Sequence, residues 1–247
     1  MIKIRIFGAI INAAAILAGG SAGLLFKGRL SRKISDNITR ALGLCVCIIG
    51  ISGAIHGDLM LLAVSLALGT LSGELLRIDD GLNNLGLWLQ KKLSRGDKNS
   101  VDSYNNSNSA NSANNSFAEG FVAATLLFCV GAMAIIGSVE SGIRGDRSII
   151  FTKSIIDGVS AAIFASSFGG GVLFSAFAVL IYQGSIEFFA GYLQNILTDG
   201  LITQISAAGS IMILGIGLNM ALNAKIKVAN FLPGLLFATG YYYLFLI

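Results

Sequence analysis

Apolar residues in this chain come in long blocks rather than alternating stripes. Runs near twenty residues recur from end to end, separated by short polar clusters. At a rise of ~1.5 Å per residue, about 20 apolar residues in a helix cross the hydrocarbon of a bilayer. The pattern predicts an all-α bundle with eight spans, over residues 7–26, 38–56, 59–76, 118–138, 151–168, 171–193, 203–222 and 228–247. Seven spans result if 151–193 crosses only once. Between the third and fourth spans, "SRGDKNSVDSYNNSNSANSANNS" offers almost nothing to bury, which predicts a mobile loop over 95–117. That loop divides the chain into a three-span unit, 1–94, and a five-span unit, 118–247.

Composition agrees with the pattern. The chain is 54% hydrophobic and 12% charged, with a mean hydropathy of +0.76. A water-exposed surface needs more charge than that. The net charge of +4 is small, and the basic residues cluster between apolar runs, which suits topology signals and not nucleic-acid binding. The first run, "GAIINAAAILAGGSAGLLF", continues to Phe26 and meets "KGRLSRK", so it reads as a spanning helix with a basic stop and not as a cleaved signal peptide. With loop 27–37 in the cytoplasm, 12 Lys and Arg fall inside and 5 outside (Lys3, Arg5, Arg144, Arg147, Lys153). This bias predicts both termini outside, and the seven-span alternative lowers it to 10 against 7.

Small residues recur at helical spacing. Ala15, Gly19 and Gly23 share one face, as do Gly69 and Gly73. Lipid offers helices no hydrophobic reason to associate, so close backbone approach must supply the packing, within one chain or across a homo-oligomer. An internal echo is also present. "ALGLCVCIIGISGAI" (41–55) and "AAGSIMILGIGLNMAL" (207–222) share their glycine and aliphatic spacing, and their flanks correspond loosely. The alignment pairs spans 1–3 with spans 6–8. An offset of five spans makes this an inverted repeat, an architecture of secondary transporters.

The polar residues within the spans are the candidate chemistry. Lys153 and Asp157 lie one helical turn apart in "KSIIDGVSAAIF". A carboxylate at membrane depth costs about 2.5–3.5 kcal/mol on insertion scales, so Asp157 is expected to face protein or water. Lys153 either pairs with it or snorkels to the interface. Gln183 and Glu187 form a second stripe beside Gly184 and Gly191. A buried carboxyl must be neutralised or paired, which makes Glu187 a candidate for an ion or proton pathway. Asn12, Asn219 and Asn230 are further intramembrane amides, suited to interhelical bonds or to a solute. Gly169, Gly170 and Gly171 end "SSFGGG". They make either a tight turn between spans or an unwound hinge whose backbone meets a ligand.

Enzyme signatures are absent from the sequence: no His-Glu-x-x-His, Gly-x-Ser-x-Gly, Walker loop or dinucleotide fingerprint occurs. Cys45, Cys47 and Cys129 sit in apolar segments without metal spacing, and the single histidine, His56, lies in a short polar turn. The reading is a non-enzyme without metal or cofactor.

The blocks "GAIINAAAILAGGSAGLL", "EGFVAATLLFCVGAMAIIGSVESGIRGD", "TKSIIDGVSAAIFASSFGGGVLFSA", "YQG", "ILGIGLNM" and "KVANFLPGLL" resemble the DUF554 family of bacterial inner-membrane proteins. The likeness covers nearly all of the chain outside the Asn/Ser tract and includes Asp157, Gln183 and Gly184. It implies a polytopic bacterial membrane protein and brings no substrate. Two functions fit these residues. One is a passive or ion-coupled transporter or channel for a small solute or ion, with Asp157 and Glu187 binding the ion. The other is a non-transporting scaffold or complex subunit that uses the same groups as interhelical glue.

Overall fold

The computed structural model describes residues 6–27, 32–94 and 107–245, and among them the ordered elements are all helical. The chain runs through α1 (Phe7–Lys27), α2 (Arg32–Ala54), α3 (Leu59–Leu76), α4 (Ile78–Ser94), α5 (Ser107–Cys129), α6 (Ala132–Ile143), α7 (Ser148–Phe168), α8 (Gly171–Leu193), α9 (Asp199–Leu222) and α10 (Pro233–Phe245). Local chemistry sets several ends. The Asp58 carboxylate accepts the Leu61 N–H at 2.8 Å and starts α3. The Thr198 hydroxyl does the same for α9 through Leu201. Asn223, in the left-handed region at φ 53°, closes α9, a conformation asparagine tolerates better than most residues.

Among the described residues, six helices are long and apolar enough to cross a membrane: α1, α2, α3, α7, α8 and α9. A seventh candidate is a bent pair of helices. The apolar part of α5 (117–129) and α6 meet at an angle of 59° across Val130 and Gly131. An unbroken span over 118–138 was expected; Gly131 stands at φ 131° and interrupts it. The expected last span, 228–247, is also different. It opens with a 3-10 turn, Val228–Phe231, and α10 is only 13 residues long because Pro233 starts it. Within the expected 95–117 loop, residues 95–106 lie outside the described residues, while those from Ser107 belong to α5. Ser, Asn and Ala cost a helix well under ~1 kcal/mol each, so the apolar helix that follows them extends backwards through them.

Close approach fixes the helix directions. Gly19 faces Gly158 and Gly23 faces Ala162, so α1 and α7 run parallel. Gly43 meets Ala221 and Gly53 meets Ser210, so α2 and α9 are antiparallel. Gly69 against Gly234 and Gly73 against Asn230 make α3 and α10 antiparallel, and Gly8 beside Glu187 with Gly20 beside Leu173 does the same for α1 and α8. The stripes Ala15-Gly19-Gly23 and Gly69-Gly73 therefore pack within one chain.

Two groups of helices result. α1, α5, α6, α7 and α8 pack together, and α2, α3, α9 and α10 form the second group. The groups meet sparingly, mainly where α5, α6 and α7 pass α2 and α9, with α4 bridging to α5. This packing cuts across the division of the chain at the polar tract. The turns α2–α3, α6–α7 and α8–α9 lie on the face where α1 begins, called here the N face. The α7–α8 turn, α4 and the 225–231 segment lie on the opposite face. Outward-facing Ile155, Ile181, Phe177 and Phe188 give the bundle an apolar exterior.

Candidate polar network and cavities in the bundle

Three helices bring the polar residues together. Lys153 and Asp157, one turn apart on α7, form an ion pair, and both are about 95% buried. Asn12 of α1 donates its side-chain amide to Asp157 Oδ2 at 2.9 Å and to Gln183 Oε1 of α8 at 3.0 Å. One turn further along α8, Glu187 Oε2 accepts the Ala9 backbone N–H at 3.3 Å. This approach is possible because Gly8 lets the Glu187 carboxyl lie directly over the α1 backbone. In this buried layer Asn12 Oδ1 and Gln183 Nε2 have no hydrogen-bond partner among the described residues.

Two cavities lie between the two helix groups, and Lys153 and Asp157 of this layer border one of them. The N-face cavity, about 500 Å³, contains Lys153, Asp157, Ser160, His56 and the Val130–Gly131 break. The opposite cavity, about 560 Å³, contains Asp79, Glu119, Asn219, Lys225 and Lys227. They line up along the same helices. On α7, Ser160 borders the first and Phe168 the second; on α9 the corresponding residues are Ile213 and Ile216; on α5 they are Leu127 and Ala123. Between them lies an apolar septum one to two helical turns thick. Phe164 occupies its level on α7, buried and stacked on Phe168 at 6.0 Å between ring centroids.

The expected site residues are distributed unevenly. Lys153 and Asp157 line the N-face cavity. Asn12, Gln183 and Glu187 join the same buried layer but line neither cavity. Asn219 borders the opposite cavity with its amide already engaged, donating to the Ile226 carbonyl at 2.8 Å and accepting the Ile226 N–H at 2.7 Å. Asn230 caps α4 by accepting the Asp79 N–H at 2.8 Å, a fixed structural bond. Gly169, Gly170 and Gly171 make the tight α7–α8 turn, with Gly169 at φ 84° and Gly171 pressed on the Phe117 carbonyl. The unwound element is at Gly131 instead. A lone glycine in "FCVGAM" was its only sequence signal.

On the opposite face, Lys227 reaches Glu74 at 3.8 Å and Asp80 at 3.7 Å. Burial raises the Asp79 carboxyl above its ordinary range, against the lowering by the Ala229 backbone N–H and Lys227.

The sequence was compared with known proteins. A family model described as "Protein of unknown function (DUF554)" matches residues 7–243. The "Uncharacterized membrane protein YdfK" of Bacillus subtilis (strain 168) is 32% identical over 236 residues, covering 93% of each chain. The "Uncharacterized protein YqgA" of Escherichia coli (strain K12) is 31% identical over 234 residues, covering 94% of each. No solved structure matches. A family match over nearly the whole length, with relatives of the same extent that include a membrane protein, makes this chain a polytopic membrane protein of the DUF554 family.

Proposed function

We propose that this protein is a transporter of a small solute or ion, residing in the bacterial cytoplasmic membrane with both termini outside. One observation carries the reading: two cavities open toward opposite faces along a single seam between two helix groups, and a thin apolar septum separates them. A small shift of one group against the other exchanges which cavity is open, the rigid-body form of alternating access. Sparse packing across the seam and dense glycine-mediated packing within each group favour such a shift. Two further features support transport. The Lys153–Asp157 pair lines one cavity at membrane depth. The α5–α6 break opens on the same cavity, where unwound backbone is tolerated in a membrane because it faces a wet space.

The inverted-repeat idea gains support as well. The helices that the internal echo relates, α1 with α8, α2 with α9 and α3 with α10, pack pairwise and antiparallel. With α5–α6 as one crossing and the 3-10 turn plus α10 as another, the alternation of direction corresponds to eight crossings.

A scaffold is the competing reading. It draws on Glu187 and Gln183, which line neither cavity and serve as well for interhelical glue. A flux screen in proteoliposomes separates the two. Asp157→Asn keeps the shape and the Asn12 contact but removes the charge. A transporter bearing it stays folded and loses flux, while unchanged flux removes Asp157 from the pathway. Glu187→Gln isolates the second carboxyl in the same assay.

A further inference from the structure

The open valences of the Lys153–Asp157 pair define what the N-face cavity accepts. Asp157 Oδ2 takes both Lys153 and Asn12, while Oδ1 has no hydrogen bond among the described residues. Lys153 has three N–H donors and uses one, on that same oxygen. Both side chains are more than nine-tenths buried, and both belong to the cavity wall, so an unfilled acceptor and unfilled donors meet one cavity.

The broken helix adds a second polarity. α6 starts at Gly131 without a side-chain cap, and its first residues, Ala132 and Met133, line the same cavity. A side chain at Gly131 would meet nothing within 4 Å, so this helix start opens on free space. Uncapped N–H groups at a helix N-terminus favour a carboxylate. The remaining wall is largely apolar, with Ile49, Phe128 and Ile213 among its residues.

Charge balance then decides between ligand classes. A simple cation gains Asp157 but meets Lys153 and the positive end of α6. A simple anion gains Lys153 and that helix end but meets Asp157. A molecule carrying an ammonium and a carboxylate on one carbon meets a complementary group at each end, and an apolar side chain suits the rest of the wall. We propose, resting on the transporter reading, that the N-face cavity binds a zwitterion of the α-amino-acid type with an apolar side chain. The ammonium lies at Asp157, and the carboxylate lies between Lys153 and the start of α6.

The test is equilibrium binding by calorimetry on the purified full-length chain in detergent. It uses L-leucine, isoamylamine (the same skeleton without the carboxylate) and isocaproate (the same skeleton without the ammonium). Leucine is expected to bind at least about tenfold more tightly than either analogue. Asp157→Asn is expected to lose leucine while improving isocaproate relative to isoamylamine. Lys153→Gln is expected to reverse that order. An analogue within about tenfold of leucine, or no leucine binding at all, overturns the proposal, and the wild-type comparison stands even where a variant fails to fold. Leucine binding without leucine flux contradicts transport alone; flux of another solute without leucine binding contradicts the zwitterion alone.

Discussion

Asn12 and Asp157 lie 145 positions apart in the chain and share a 2.9 Å hydrogen bond in the middle of the bundle. The oxygen that Asn12 holds is the one that Lys153 also holds, so α1 orients the charged pair of α7. Asn12→Ala leaves Asp157 Oδ2 with one bond fewer and strips Gln183 Oε1 of its Asn12 donor. A buried acceptor left without its donor costs about 1–3 kcal/mol. For a chain of this size that lowers the melting temperature in detergent by roughly 2–4 °C per kcal/mol. An unchanged melting temperature would show that the bond carries no stability.

The contact between α1 and α7 depends on Gly19 having no side chain, because a Cβ there would overlap the Gly158 carbonyl. Gly19→Leu should force the helices apart, at a cost of about 1–3 kcal/mol from overpacking alone. Gly191, in α8, provides the control. Nothing lies within 4 Å of where its Cβ would be, so Gly191→Ala should leave stability unchanged or raise it by up to ~1 kcal/mol. Thermal melts of both variants check the contrast; equal effects would deny the close helix approach.

Phe164 stands at the level of the septum between the two cavities. Phe164→Ala removes a buried ring at that level and is expected to make proteoliposomes leak small ions under a membrane potential. Truncating a buried phenylalanine also costs about 3–5 kcal/mol, so retention of a folded peak on size-exclusion chromatography is part of the measurement. A folded Phe164→Ala that stays as tight as wild type would place the barrier elsewhere.

Asp79 gives a pH signature. Its carboxyl is raised by burial, so the fold prefers the neutral form. That contribution is complete below the ordinary carboxylate range and is lost as pH rises through the raised value. The melting temperature of wild type relative to Asp79→Asn is therefore expected to fall as pH rises from the ordinary carboxylate range through the raised value. Parallel curves for the two proteins would contradict the burial of this carboxyl.

The six long helices α1, α2, α3, α7, α8 and α9 were legible because each apolar run is long enough to span a bilayer, a signal that needs no tertiary information. The Lys153–Asp157 pair was legible for the same local reason, since four residues on a helix share a face. The convergence of Asn12 on Gln183 was not, because those residues are 171 positions apart and each looks locally like any intramembrane amide. The glycines were legible in part. Three in a row at Gly169–Gly171 read as either a tight turn or a hinge and make a turn, while nothing marked the lone Gly131, where the chain bends by 59°. A single glycine costs a helix about 1 kcal/mol, too little to distinguish it from the many that merely pack. The seam between helix groups was invisible for a related reason: it is defined by which helices fail to pack closely.

Sidedness of the two cavities tests the central claim most directly. In a chain with Cys45, Cys47 and Cys129 replaced by alanine, Ser160→Cys and Val122→Cys are introduced one at a time and exposed to a membrane-impermeant thiol reagent from each side. Ser160 lines the N-face cavity and Val122 the opposite one. The account predicts that each cysteine reacts from its own face and that adding the transported solute shifts the two reactivities in opposite directions. Labelling of neither cysteine, or of both from one face regardless of solute, would contradict a two-sided pathway through this seam.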